Sequence, residues 1–265
     1  MLRIGFICPA YDAVAFDTYT RAALISFFDT TPGGVALVVD DGSTSWTPAY
    51  EQSLRELVCG YDHAEIHFKH FPQRGGLTRS WNAGLAMADA MGLDYAIAGN
   101  NDVIFTAKWY EGLLHALTNG YALTGPLSNA PGITAKGKQE VQRYLSRFVL
   151  TDDRDKLDTI AAELHEKHLG KVVESSVNGF FQMASMDAWR QGKFDDRHYY
   201  KPKNTHTSKG RRNPTPLMTL NEDELQGRWA RKKMRSAIAL GSFVFHYRAV
   251  SRGDKYKRGK WYRQK

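Results

Sequence analysis

The chain has 265 residues, of which 42% are hydrophobic and 24% charged, with two cysteines and a formal net charge of +8. These are ordinary values for a globular protein, and the length suffices to bury a core without disulfides. No apolar run approaches the roughly 20 residues that span a bilayer, so a membrane-embedded protein is not expected.

The charge is unevenly placed. Residues 1–200 carry 18 Lys+Arg against 24 Asp+Glu (net −6), and residues 201–265 carry 18 against 4 (net +14). The basic last quarter suits either an anionic partner or a solubilising tail. Cys8 and Cys59 lack metal-ligand spacing; Cys8, in an apolar run, reads as core. The N-terminus MLRIGFICPAYD reads as a first strand and not as a signal peptide. A cytoplasmic location is expected.

In chain order, residues 2–8 are strand-like, and 18–28 have helical spacing with Asp17 or Thr18 as N-cap. Residues 35–39 form an apolar β-run, 48–58 a helix, 64–70 a strand, 77–91 an Ala- and Leu-rich helix, 93–98 a strand, 108–117 a helix and 121–124 a short strand. This alternation predicts an α/β fold whose mostly parallel sheet is flanked by helices. Residues 136–150 and 154–169 predict two amphipathic helices, an insertion over the sheet. Strand character returns at 175–184, and a helix at 222–234 precedes one or two strands at 237–247. Residues 201–216 hold five basic residues, three prolines and no acid, a long loop, and 251–265 form a basic, aromatic tail.

Three strands end in polar or turn residues: Pro9-Ala10-Tyr11-Asp12, Asp40-Asp41-Gly42-Ser43 and Asn100-Asn101-Asp102. In an open parallel sheet such ends meet at one edge, where ligands bind. Clustered carboxylates repel one another unless a cation or donor groups join them, and a divalent metal holding a diphosphate would do so. Each aspartate alone also fits a turn or helix cap. Arg74, in Gln73-Arg74-Gly75-Gly76, precedes a helix N-terminus that favours anions, so it is either a phosphate contact or a solvated loop arginine.

The ordered stretches VVDDGST, GGLTRSWNAGLAMA and AGNNDVIF resemble inverting glycosyltransferase family 2, with its GT-A fold. NGFFQMASMDAWRQGKFDD resembles that family's acceptor-side strand, NEDELQGRWARKK its catalytic helix start, and FVFHYRAVSRG its late strand ending in His. The resemblance spans roughly residues 3–250 and implies one domain. Residues 1–125 would be the nucleotide-sugar half, 136–169 the helical insertion and 175–250 the acceptor half, with 251–265 a tail.

The resemblance also implies roles. Asp41 would accept hydrogen bonds from the nucleotide base, in a pocket lined by Pro9, Ala10 and Tyr11. Asn82, in the family's Asn-Ala-Gly pattern, would face the donor, while Trp81 beside it serves helix packing. Asp102 would be the metal-side carboxylate, with His246 completing a site for Mn²⁺ or Mg²⁺. Asn100 stands where many relatives have an aspartate, which removes one charge from that site. Asn100 and Asn101 would offer amides to sugar or phosphate oxygens. Asp223 would be the general base and Glu222 its supporting acid; without the resemblance, Asn221-Glu222-Asp223 is a helix cap.

The implied donor is a nucleotide diphosphate sugar, with a UDP-sugar favoured, and the implied acceptor a saccharide, a glycan or another anionic substrate. Residues 201–212 and the tail interleave cations with Tyr256, Trp261 and Tyr262, a pattern that suits nucleic acid. Two alternatives therefore stand beside the glycan acceptor. One is transfer to hydroxymethylated bases of DNA. The other is a non-catalytic sugar- or nucleic-acid-binding relative.

Overall fold

The computed structural model describes residues 2–131, 138–145, 147–149, 151–194 and 220–247, with the backbone alone at 220–224. The first half alternates as β1 (Ile4–Ala10), α1 (Asp17–Thr30), β2 (Val35–Asp40), α2 (Pro48–Arg55), β3 (Glu65–His70), α3 (Leu77–Ala90) and β4 (Tyr95–Gly99). There follow β5 (Val103–Phe105), α4 (Glu111–Thr118), β6 (Leu123–Leu127), α5 (Gln142–Leu145), α6 (Arg154–His168), β7 (Val172–Glu174), β8 (Phe181–Ser185), α7 (Met186–Gln191), α8 (Leu220–Arg231) and β9 (Ser236–His246).

The strands join in the order β3-β2-β1-β4-β8-β6-β9-β5, with β7 also paired to β9. β3, β2, β1 and β4 are mutually parallel, as expected. Beyond β4 the sheet is mixed: β8 runs antiparallel to β4 and β6, β9 is parallel to β6, and β5 and β7 are antiparallel to β9.

β2 is buried along its whole length, which is why it reads as an unbroken apolar run. Side chains alternate between the sheet faces. Phe6, Cys8 and Val38 join Leu24 and Phe27 of α1 in one core. Ile7, Leu37 and Val39 join Trp81 and Leu85 of α3 in the other. Burial pushes the Cys8 thiol far above its usual range, so it is an inert core residue. Asp17 opens α1 as its first residue and does not cap it; the carboxylate instead receives the Arg21 guanidinium one turn on, at 2.8 Å.

Gly84 is needed where α3 crosses β1. A Cβ there would lie 2.3 Å from Ile7 Cγ2. Ala is a better helix former than Gly by about 1 kcal/mol, but forcing a methyl into a packed core costs about 1–3 kcal/mol. Gly84→Ala is therefore expected to lower the urea midpoint, and a raised midpoint would contradict this packing.

The stretch expected as two helices holds a single turn, α5, and the 15-residue α6. Residues 132–137, 146 and 150 lie outside the described set. Leu157, Ile160, Ala161 and Leu164 of α6 pack on Ile238, Leu240 and Phe243 of β9, so this segment helps form a third core cluster. β9 is one 11-residue strand. Among the described residues no helix is long and apolar enough to cross a membrane.

Candidate active site

Parallel β2, β1 and β4 bring their C-terminal ends to one sheet edge, and β1 pairs Ala10 with Asp40 there. Ala10 O accepts from Asp41 N at 2.7 Å. Strand alternation then turns Pro9, which has no N–H, toward β4, whose pairing to β1 has already ended at Ile7. Tyr11, which follows Ala10, is 40% exposed, and the Arg74 guanidinium stacks 4.0 Å from its ring centroid. Arg74 thus lies beside the base-pocket residues anticipated from sequence.

The Asp-Asp-Gly-Ser turn divides labour between its carboxylates. Asp40 shapes the turn, accepting from Ser43 N at 3.1 Å and from the Ser43 hydroxyl. Gly42 has φ +80°, and a Cβ there would meet Gln73 backbone at 2.5 Å, so the turn lies directly against loop 73–76. Asp41, with only 6% of its side chain exposed, receives three donors from that loop and α3. Gly75 N at 2.8 Å and Arg79 Nη2 at 2.6 Å reach Oδ1, and Gly76 N at 2.6 Å reaches Oδ2. Arg79 also donates to Gln73 O and stacks on Phe71 at 4.0 Å. Sequence reasoning did not single out Arg79; its only signal was a cation one turn into a helix that faces two aspartates.

The residues of AGNNDVIF cross from one part of the sheet to another. Gly99 ends β4 opposite Phe181, and its carbonyl accepts the buried Trp81 indole at 2.8 Å. Asn100 N then bonds Phe180 O at 2.9 Å. Val103 begins β5, which the sequence pattern missed, opposite His246 at the end of β9. This pairing sets His246 Nε2 3.2 Å from Asp102 Oδ1 and 3.3 Å from Asn100 Nδ2. Asn101 is separated from this group: its Nδ2 donates to Thr20 Oγ1 of α1 at 3.0 Å.

His246 is held on several sides. Its Nδ1 lies 2.8 Å from Ala130 O, and Phe180 stacks on its ring at 4.9 Å and 17°. A carbonyl oxygen only accepts, so Nδ1 carries a proton, and in the neutral ring Nε2 presents a lone pair. In that form the lone pair lies 3.3 Å from the Asn100 amide nitrogen and 3.2 Å from Asp102 Oδ1. This donor set suits a divalent cation, and Mg²⁺-type ions bind through one or two protein oxygens plus substrate phosphates. Among the described residues no group of three or more His, Cys, Asp or Glu could hold a metal ion. Substrate oxygens would have to complete the coordination.

Asn82 makes a strut in place of the donor contact expected of it. Its Nδ2 donates to Phe194 O at 2.8 Å and its Oδ1 accepts from Phe194 N at 3.1 Å, so both ends of the amide are engaged. Glu222 and Asp223 lie in the first turns of α8, where only the backbone is described. That helix is seated by buried Leu225 and Trp229, and Gln226 bonds both Val177 N at 2.8 Å and Val177 O at 2.7 Å. The basic stretches 201–212 and 251–265 lie outside the described residues.

Residues 35–165 match glycosyl transferase family 2, and they contain the Asp41 turn, loop 73–76 and the Asn100–Asp102 crossing. The match covers 131 of the chain's 265 residues. The chain's fold is that of GT-A glycosyltransferases, a mixed sheet flanked by helices. GalNAc-T7, solved with UDP, GalNAc and Mn²⁺, matches at TM-score 0.60 and 14% identity, over 93% of this chain and 44% of that one. The mannosyltransferase PcManGT from Pyrobaculum calidifontis, in complex with GDP-Man and Mn²⁺, matches at 0.55 and 12%, over 92% and 56%. S. aureus TarS 1–349 matches at 0.53 and 12%, over 93% and 60%. The chain therefore spans 44–60% of the length of these solved structures. No curated protein sequence matches it significantly.

Proposed function

We propose that this chain is an inverting glycosyltransferase that moves a sugar from a nucleotide diphosphate sugar to an acceptor hydroxyl. The observation that carries the reading is that the Asp41 turn and the Asp102–His246 pair both follow the C-terminal ends of parallel strands, β2 and β4, at one sheet edge, in a chain that matches glycosyl transferase family 2. Similar folds solved with UDP or GDP-Man and Mn²⁺ support it.

Asp102 and His246 are the residues that would hold Mn²⁺ or Mg²⁺, with Asn100 beside them. When bound, the ion supplies charge neutralisation for the departing diphosphate. Tyr11 and Arg74 flank the nucleotide. Asp223 takes the proton of the acceptor hydroxyl while that oxygen forms its bond to the anomeric carbon. The bond to the diphosphate oxygen breaks on the opposite face and its electron pair leaves with the diphosphate. Glu222 is the supporting acid of Asp223. Base assistance of this kind is worth about 10²–10⁴-fold.

Asp41 also supports a choice of base. A carboxylate has about four lone-pair sites, two on each oxygen. Gly75 and Arg79 fill Oδ1, and Gly76 takes one site of Oδ2. One acceptor site remains. Uracil offers one imide N–H and fits it. Guanine presents two adjacent N–H donors and would leave one unpaired, at a cost of about 1–3 kcal/mol. With Mn²⁺ present, calorimetry is expected to show UDP binding about tenfold or more tighter than GDP. Equal or reversed affinities would remove Asp41 as the base reader.

A saccharide hydroxyl is the acceptor we favour. Transfer to hydroxymethylated DNA is supported only by the +14 balance of residues 201–265. Assaying UDP release with saccharides and with hydroxymethylated duplexes separates the two, and no release with either would favour a non-catalytic relative.

A further inference from the structure

His246 ends β9 where the strand keeps β5 on one side but has lost β6 on the other. β9 pairs with parallel β6 through Leu127, with a register shift between Pro126 and Leu127. Beyond Leu127 the chain no longer forms a ladder with β9. Asn129 replaces it: Oδ1 accepts from His246 N at 2.8 Å, and Nδ2 donates to His246 O at 3.1 Å. One side-chain amide thus makes the two bonds a neighbouring strand would make. Asn129 is 7% exposed. The next residue supplies Ala130 O to His246 Nδ1 at 2.8 Å.

We propose that Asn129 is a positioning residue that, through Ala130 O, fixes the neutral His246 ring as the Nδ1–H tautomer and so directs Nε2 at Asn100 and Asp102. The proposal rests on the metal-site reading above for its functional meaning, but the tautomer it assigns does not depend on any metal. The chemistry is general: the bond made by one imidazole nitrogen sets what the other can bind. Removing such an outer partner typically costs about 10–100-fold in metal affinity.

The anchor extends further back. Ser128 N bonds Gln139 O at 2.9 Å, and Val141 N bonds Ser128 O at 2.9 Å. Gln139 Nε2 in turn reaches Pro126 O at 2.8 Å. The chain leading into Asn129 and Ala130 is therefore braced by Gln139 and Val141, and its grip on His246 is built on that base. Nothing in the sequence marks Asn129; in SNAPG it reads as a turn former.

Two measurements test this. Long-range ¹H–¹⁵N correlation spectra of the metal-free protein should show His246 protonated on Nδ1. A spectrum showing the Nε2–H form in the wild type would overturn the proposal whatever the metal does. Mn²⁺ titration followed by the signal of free Mn²⁺ in electron paramagnetic resonance, with UDP present, should then show Asn129→Ala weakened about 10–100-fold. The same variant should lose the single tautomer. A folded Asn129→Ala protein that keeps both the Nδ1–H form and wild-type Mn²⁺ affinity would also overturn it. Failure of the wild type to bind Mn²⁺ would sink the metal reading while the tautomer spectrum still decides the role of Asn129.

Discussion

Asp223→Asn is expected to lower turnover by at least about 100-fold while donor affinity stays near wild type. The substitution keeps the shape of the side chain and removes its basicity. Asn is as good a residue at a helix start as Asp, so little stability should be lost. The helix is held elsewhere, by buried Leu225 and Trp229 and by the two bonds of Gln226 to Val177. Turnover and donor binding should therefore separate cleanly in steady-state kinetics and calorimetry. Near-normal turnover would reduce Asp223 to a helix-start residue and move the base elsewhere.

Asp102→Ala is expected to abolish transfer and erase the contribution of Mn²⁺ to donor binding. The backbone should tolerate the change, because the Asp102 carbonyl, not its carboxylate, accepts Tyr247 N at 2.9 Å. The β5–β9 pairing beside it is made by backbone groups as well. What disappears is the only carboxylate facing His246 Nε2 in the structure as described, and with Asn100 as neighbour no second negative charge takes over. Binding of UDP measured with and without Mn²⁺ should become equal in this variant. Retained metal enhancement would remove Asp102 from the site.

Much of this was legible in the sequence, for physical reasons. β2 is buried on both faces, and six consecutive buried residues leave no period to misread. α1 and α3 are 14 residues each, and the polar strand ends gather at one sheet edge because a parallel sheet collects them there. Other features depend on contacts between distant segments. β5 is three residues long and becomes a strand only through β9, about 140 residues later, so no local pattern announces it. Asn82 looked like a donor contact because its motif did, yet both ends of its amide bond Phe194. Arg79 and Asn129 act by reaching Asp41 and His246, and one sequence does not show such pairings. Asn101 was grouped with Asn100 by adjacency, while the crossing from β4 to β5 sends it to Thr20.

The most direct test of the central claim is calorimetric titration of the wild-type protein with UDP, in Mn²⁺ and in a chelator. The Asp41 and Asp102–His246 arrangement predicts binding that is clearly tighter with Mn²⁺ than without it. Binding that ignores the metal, or no binding under either condition, would contradict a metal-assisted nucleotide-sugar site at this sheet edge.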